Sequence, residues 1–346
     1  MDRSGKNGPV PIDLRSDTVT RPTPAMRAAM AEAEVGDDVF GDDPSVHRLQ
    51  DAAAELLGKE AALFVTSGTQ ANLTALLSHC QRGHEYLVNQ EAHTYRWEGG
   101  GAAVLGGIQP QPIDFAPDGT VPLEQVAAKI KPDDPHFAIT RLLCLEDTHN
   151  GRSVPPPFLD EAAAFAHARD LSLHLDGARL ANAAVAEGLA MAVLAEGADT
   201  VSLCFSKGLG APAGSVIAGP EEVIARARRW RKMLGGAMRQ SGVLAAAALL
   251  ALEQHVDRLA DDHHHALTLA EGLQGMGLDA EAHTNMVFAS LGDRDPSAVE
   301  QSLAELDVVV LAAPVTRLVT HLDVSEADIA ATLRAFDQTL AQPANS

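Results

Sequence analysis

Lys207 stands among Ser206, Gly208 and Gly210, directly after an apolar run from Val201 to Phe205. The run reads as a strand, so the lysine falls where a strand passes into a flexible turn and can reach a ligand. A surface lysine after a strand would leave the same pattern. Asp176 narrows the choice: it closes a second apolar run that starts at Leu171, and Arg179 follows it. A lysine and a carboxylate at two strand ends suit pyridoxal phosphate. The amine condenses with the aldehyde, and the carboxylate keeps the pyridine nitrogen protonated so that the ring draws electrons. An ordinary lysine, with a pKa of about 10.4, is a poor nucleophile at neutral pH unless desolvation or a neighbouring cation depresses that value. Without such a partner lysine, Asp176 reads equally well as the N-cap of a helix entered at Gly177 and Ala178.

Other residues fall at comparable places. Ser67, Gly68 and Thr69 lie between a strand pattern over 59–65 and an Ala/Leu-rich helix, a junction whose free N–H groups and dipole favour a phosphate. The same residue types also cap ordinary helices. His93 follows a strand over 86–90; its ring is either a platform for a planar ligand or a histidine in a surface turn, with Glu98 as a polar neighbour. Lys232 and Arg239 flank the pair Gly235 and Gly236. Arg317, placed before a strand, has the geometry to grip a carboxylate bidentately. Ser16 lies with Arg15, Asp17 and Thr18 on an extended arm that either closes over a ligand or is simply solvated. The loop Gly36–Pro44 carries four acidic residues but lacks the full calcium-loop spacing, and reads as structural. His263, His264 and His265 are consecutive on a helix and point to different faces; they read as solvated rather than as one metal site.

These positions need a scaffold. Strand patterns alternate with helices over 45–57, 122–130, 159–169 and 221–231, which implies a mostly parallel sheet flanked by helices. Ligands on such sheets bind beyond the carboxyl ends of the strands, where most of the chosen residues fall. The 346 residues suffice for two domains. Residues 1–24 form a lead, disordered over 1–11, and an arm. Residues 25–245 form a large α/β domain, and 246–346 a small C-terminal α+β domain that includes a linking helix, read as continuous over 243–273. Apolar residues make up 46% but aromatics only 4%, so Ala, Leu and Val must build the core. A net charge of -21 argues against nucleic acid or an anionic membrane surface as partner. Cys80, Cys144 and Cys204 are too scattered for metal pairing and suit a reducing compartment, and with no signal-peptide pattern the location expected is cytoplasmic.

Together these stretches resemble the fold-type I pyridoxal-phosphate enzymes, and more closely the low-specificity L-threonine aldolases. The resemblance runs from about Ile12 to Val324 and rests on the segments 13–20, 36–44, 67–72, 176–179, 206–209, 235–240 and 317–321. It implies retro-aldol cleavage of L-threonine, L-allo-threonine and related β-hydroxy amino acids to glycine and an aldehyde. A β-eliminating lyase, or a fold retained only for binding, would share much of the same site. By resemblance Lys207 carries the cofactor, Asp176 holds the pyridine nitrogen, Arg179 lies beside the ring oxygen, and Ser67, Gly68, Thr69 and Ser206 belong to the cofactor site. His93 stacks on the ring, and His136 lies near the substrate hydroxyl. Ser16, Arg179 and Arg317 hold the substrate carboxylate. Lys232 and Arg239 are cations lent by a neighbouring subunit, which implies a homo-oligomer, a tetramer built from dimers, with no metal. One departure is Asp147, where the family commonly has Asn.

Overall fold

Short apolar runs alternating with Ala-rich helices produce the parallel sheet expected of them. The computed structural model describes residues 11–116 and 119–341; the expected lead over 1–10, and Asp118 of an expected turn, lie outside the described residues. The strands in chain order are β1 (Ile12–Asp13), β2 (Ala61–Val65), β3 (His84–Asn89), β4 (Gln109–Ile113), β5 (Ile139–Glu146), β6 (Ser172–Asp176), β7 (Thr200–Cys204), β8 (Ser215–Gly219), β9 (Asp279–His283), β10 (Met286–Ser290), β11 (Val308–Val309) and β12 (Val315–Val319). The chain divides into a large unit, Arg21–Leu259, and a small unit that joins residues up to Thr20 with those from Ala260 onward. The break therefore falls after 259 rather than after 245, and the arm segment 11–20 belongs to the small unit.

In the large unit seven strands stand in the order β2-β8-β7-β6-β5-β3-β4. Only β8 runs against its neighbours β2 and β7. The carboxyl ends of β2, β3, β5, β6 and β7 therefore share one edge, and each leads into a stretch singled out above. β4 was not foreseen as a strand. Its Pro110 and Pro112 cannot donate to a ladder, and it occupies the sheet margin, pairing only with β3. With few aromatics, small side chains fill the core: the helix Gly242–Gln254 buries Ala245, Ala247, Ala248 and Ala251. Phe64 and Phe205 supply bulk at its centre, ring centroids 6.4 Å apart. Truncating either to alanine would cost about 3–5 kcal/mol.

The acidic loop Gly36–Pro44 is structural, as read. Asp43 caps the helix Pro44–Leu56 through the N–H groups of Ser45 and Val46 and also accepts from the N–H of Gly242. Asp38 pairs at 2.6 Å with Arg231, which is only 2% exposed and donates to the carbonyl of Phe64 at 2.7 Å.

The helix expected to run unbroken over 243–273 is two helices, Gly242–Gln254 and Leu259–Gly275. Two side chains of the intervening segment turn toward the lysine loop. His255 donates from Nδ1 to the carbonyl of Leu209 at 2.8 Å, and Arg258 donates to that of Gly208 at 3.3 Å.

In the small unit β9, β10 and β12 form an antiparallel sheet, while β1 pairs in parallel with β11. The helix Glu326–Leu340 opens on a capping box formed by Ser325 and Asp328. His321 donates from Nε2 to the carbonyl of Asp13 at 2.7 Å, fixing the arm. The expectation that three consecutive histidines are solvated holds for His264 only. His263 is half-buried, and burial pushes its pKa down to about 4. No helix among the described residues is long and apolar enough to cross a membrane.

Candidate active site

β6 alternates faces along its length, so His174 and Asp176 point the same way. Asp176 pairs in register with Ser202 of β7, and His174 with Thr200. The helix Gly68–His79 covers this face and brings Asn72 onto it. Asn72 Nδ2 donates to Asp176 Oδ2 at 2.7 Å and to Glu98 Oε1 at 2.9 Å. Asp176 Oδ1 accepts from the N–H of Ala178 at 3.1 Å and lies 3.3 Å from the Ser202 hydroxyl. His93 begins the short helix His93–Arg96, its N–H held at 2.7 Å by Glu146 Oε2 and its Nδ1 by Glu98 Oε1 at 2.8 Å.

The electrostatics follow from these contacts. The hydrogen bond to Glu98 raises the pKa of His93 above the ordinary imidazole value, with Asp176 adding to it; burial and the charge of Lys207 oppose it. Burial raises that of Glu98, and the bond from His93 limits the rise. Both shifts have the same sense: the pair retains a proton to higher pH than either group would alone.

Lys207 follows β7 in the loop that returns to β8. Its carbonyl accepts from the N–H of Gly210 at 2.8 Å, and the loop closes where Phe205 donates to the carbonyl of Gly214 at 3.1 Å. Gly214 has φ +104°, and a Cβ there would lie 2.4 Å from the ring of Phe64, so the return needs glycine. At the end of β2, Ser67 caps the helix Gly68–His79 by accepting from the N–H of Gln70. The first N–H groups of that helix, on Gly68 and Thr69, have no partner within it. A Cβ on Gly68 would meet Cys204 Sγ at 2.6 Å; only glycine lets the helix start sit against the end of β7.

The structure thus brings Ser67, Gly68, Thr69, His93, Asp176, Arg179, Ser206 and Lys207 to one edge of the large unit's sheet. It does not bring His136 there. His136 precedes β5, at the amino-terminal edge; at about 3.3 Å per residue the strand alone sets that edge roughly 23 Å from the level of Glu146. Its side chain is 85% exposed and bonds Asp134 at 2.6 Å. Lys232 is exposed near the end of the helix Glu221–Met233, and Arg239, also exposed, pairs with Asp37 at 2.9 Å. Ser16 and Arg317 belong to the small unit: Ser16 caps the turn Asp17–Val19, and Arg317, expected before a strand, lies within β12 and reaches the carbonyl of Arg15 at 3.4 Å.

Sequence reasoning left Asn72, His174, Thr200 and Ser202 without roles. A signal existed: polar residues at i and i+2 in two adjacent buried strands, with an asparagine on the covering helix.

The arrangement can do two things chemically. His93, Glu98 and Asp176 offer ligand atoms all within 4.8 Å of one another, a possible cation site, but the amide of Asn72 already fills the space between the two carboxylates. For a pyridoxal-phosphate group the fit is direct: a buried carboxylate with acceptor capacity left on Oδ2, a glycine-floored helix start, and a lysine whose charge is felt at His93.

A single antiparallel strand in an otherwise parallel seven-stranded sheet is the α/β architecture of the fold-type I class. Solved structures share this fold. Threonine aldolase of Leishmania major superposes with a TM-score of 0.82 at 21% identity, over 96% of this chain and 100% of that one. SPT with PLP superposes at 0.75 and 17% identity, over 95% and 87%. A profile of the family described as beta-eliminating lyase matches residues 13–293. The low specificity L-threonine aldolase of Escherichia coli (strain K12) is 56% identical over 329 residues, 94% of this chain and 99% of that protein. The chain belongs to the beta-eliminating lyase family and, within it, to the low-specificity L-threonine aldolases.

Proposed function

We propose that the chain binds pyridoxal phosphate and cleaves L-threonine, L-allo-threonine and related L-β-hydroxy-α-amino acids between Cα and Cβ, giving glycine and an aldehyde. What supports the reading most is the convergence of Asp176, Lys207, His93 and the Ser67–Thr69 helix start on one sheet edge, together with the 56% identity to a low specificity L-threonine aldolase. When bound, the cofactor supplies an electron sink for the pair of electrons left on Cα.

The chain's own residues do the rest. Lys207 attaches the cofactor, and Asp176 holds its ring nitrogen as an anion. Gly68 and Thr69, with Ser67 and Ser206, receive the phosphate. Arg179 holds the substrate carboxylate, which fixes the Cα–Cβ bond for cleavage. His93, steadied by Glu98 and Glu146, takes the hydroxyl proton at its ring nitrogen. Lys232 and Arg239 serve a neighbouring copy, so the active protein is a closed homo-oligomer, a dimer-built tetramer working in the cytoplasm.

The family description favours one rival, β-elimination, which would release pyruvate and ammonia from a substrate with a β-leaving group. Incubation with pyridoxal phosphate and each threonine diastereomer decides: glycine and acetaldehyde in equal amounts sustain the aldolase reading, and pyruvate with ammonia refutes it.

A further inference from the structure

Behind Asp176 lies a buried polar chain that the reaction itself does not use. Its members are His79 and Asn72 on the covering helix, Thr200 and Ser202 on β7, and His174 on β6; His174, Asn72, Thr200 and Ser202 are all buried. His79 Nε2 lies 2.9 Å from Thr200 Oγ1, Thr200 Oγ1 lies 2.9 Å from His174 Nδ1, and His174 Nε2 lies 3.2 Å from Asn72 Oδ1.

The direction of every bond is fixed from one end. Asn72 Nδ2 faces two carboxylate oxygens, so it is the amino group and Oδ1 is the acceptor. His174 must then carry its hydrogen on Nε2. Burial pushes its pKa down to about 4, so the ring is neutral at pH 7 and Nδ1 is bare. Thr200 therefore donates to Nδ1 and accepts from His79, whose ring burial likewise pushes to about 4. Every donor points toward Asp176. An amide cannot pass a proton along, so the array is a fixed set of dipoles and not a proton wire. Asn72 and the N–H of Ala178 donate to the Asp176 carboxylate; the single hydrogen of the Ser202 hydroxyl lies nearer Asn72 Oδ1, at 2.9 Å, than Asp176 Oδ1, at 3.3 Å. Oδ2, which accepts from Asn72, keeps an open position.

We propose that His174 is a positioning residue for Asp176: acting through Asn72 as a neutral Nε2–H donor, it orients the carboxylate's remaining acceptor toward the cofactor's ring nitrogen. This rests on the pyridoxal-phosphate reading above.

The test compares His174→Phe with His174→Gln. Glutamine keeps an N–H near Nε2 and phenylalanine does not. Cofactor dissociation constants are read by titrating each apoprotein with pyridoxal phosphate and following its visible absorption. The Phe variant should bind roughly 10- to 100-fold more weakly, the range seen when a partner behind a ligating group is removed, and the Gln variant within about threefold of the parent by the same measure. A folded Phe variant that binds like the parent overturns the proposal. If the Phe variant does not fold, 15N NMR of the parent holoenzyme decides: a neutral Nε2–H ring at His174 sustains it, and an Nδ1–H or charged ring overturns it. A parent protein that develops no cofactor absorption refutes the functional reading instead.

Discussion

Asp147, where the resemblance to the family implies asparagine, offers a quantitative check on the site's support. It follows β5, its N–H donating to the carbonyl of Asp176 at 2.9 Å and its Oδ1 accepting from the N–H of Val154 at 3.0 Å. Oδ2 is buried with no hydrogen-bond partner among the described residues. Burial, and then the charges of Glu187 and Glu146, raise its pKa from 3.8 to about 7, against the bond from Val154. Because the folded value lies above the unfolded one, the contribution to stability is full below pH 4. It is lost as pH rises to about 7, where the folded protein must also ionise. At about 1.4 kcal/mol per pH unit, a window of about three units amounts to roughly 4 kcal/mol. Asp147→Asn keeps the acceptor for Val154 and removes the titration. Denaturant unfolding of both proteins at intervals from pH 4 to pH 8, followed by tryptophan fluorescence, should show the variant gaining on the parent by roughly 4 kcal/mol across that range. Parallel pH profiles would refute the reasoning.

Other substitutions address the reaction. Lys207→Ala should abolish both turnover and the visible absorption of the bound cofactor; full activity would remove Lys207 from its role. Asp176→Asn should fold normally and lower turnover by roughly 100-fold or more, since a neutral amide no longer favours a protonated ring; unchanged kcat would contradict this. His93→Phe should retain cofactor affinity, because the aromatic face remains, yet slow cleavage by about 10²–10⁴ for want of a base, and parent-rate turnover would leave His93 as a platform only. His136→Asn should leave cofactor affinity unchanged, given its place at the far edge of the sheet; a weakened dissociation constant would count against that placement.

Much of the scaffold was legible because polar residues interrupt apolar runs at strand ends. Lys207, Asp176 and His93 could be found that way, and the alternation of strand and helix implied that they share an edge. The margin strand β4 was hidden by its own prolines, which carry a turn signal as readily as an edge signal. The break between Gln254 and Leu259 had no glycine or proline to announce it. Its cause is tertiary, since His255 and Arg258 bond to a loop some fifty residues earlier. His136 precedes β5 and so stands at the other edge of its own chain's sheet; its expected place near the substrate hydroxyl does not follow from the strand order of one chain. The roles of Asn72 and His174 need knowledge of which helix covers which face.

The loop that bears Lys207 is tied at both ends to adjacent antiparallel strands and braced from below by His255 and Arg258. Restricting a backbone residue to one conformation costs about 1–2 kcal/mol. For this loop that entropy is surrendered once, when the chain folds, and not at each encounter with a ligand. The amine of Lys207 then searches space only through rotations of its own side chain, while the main chain beneath it stays still.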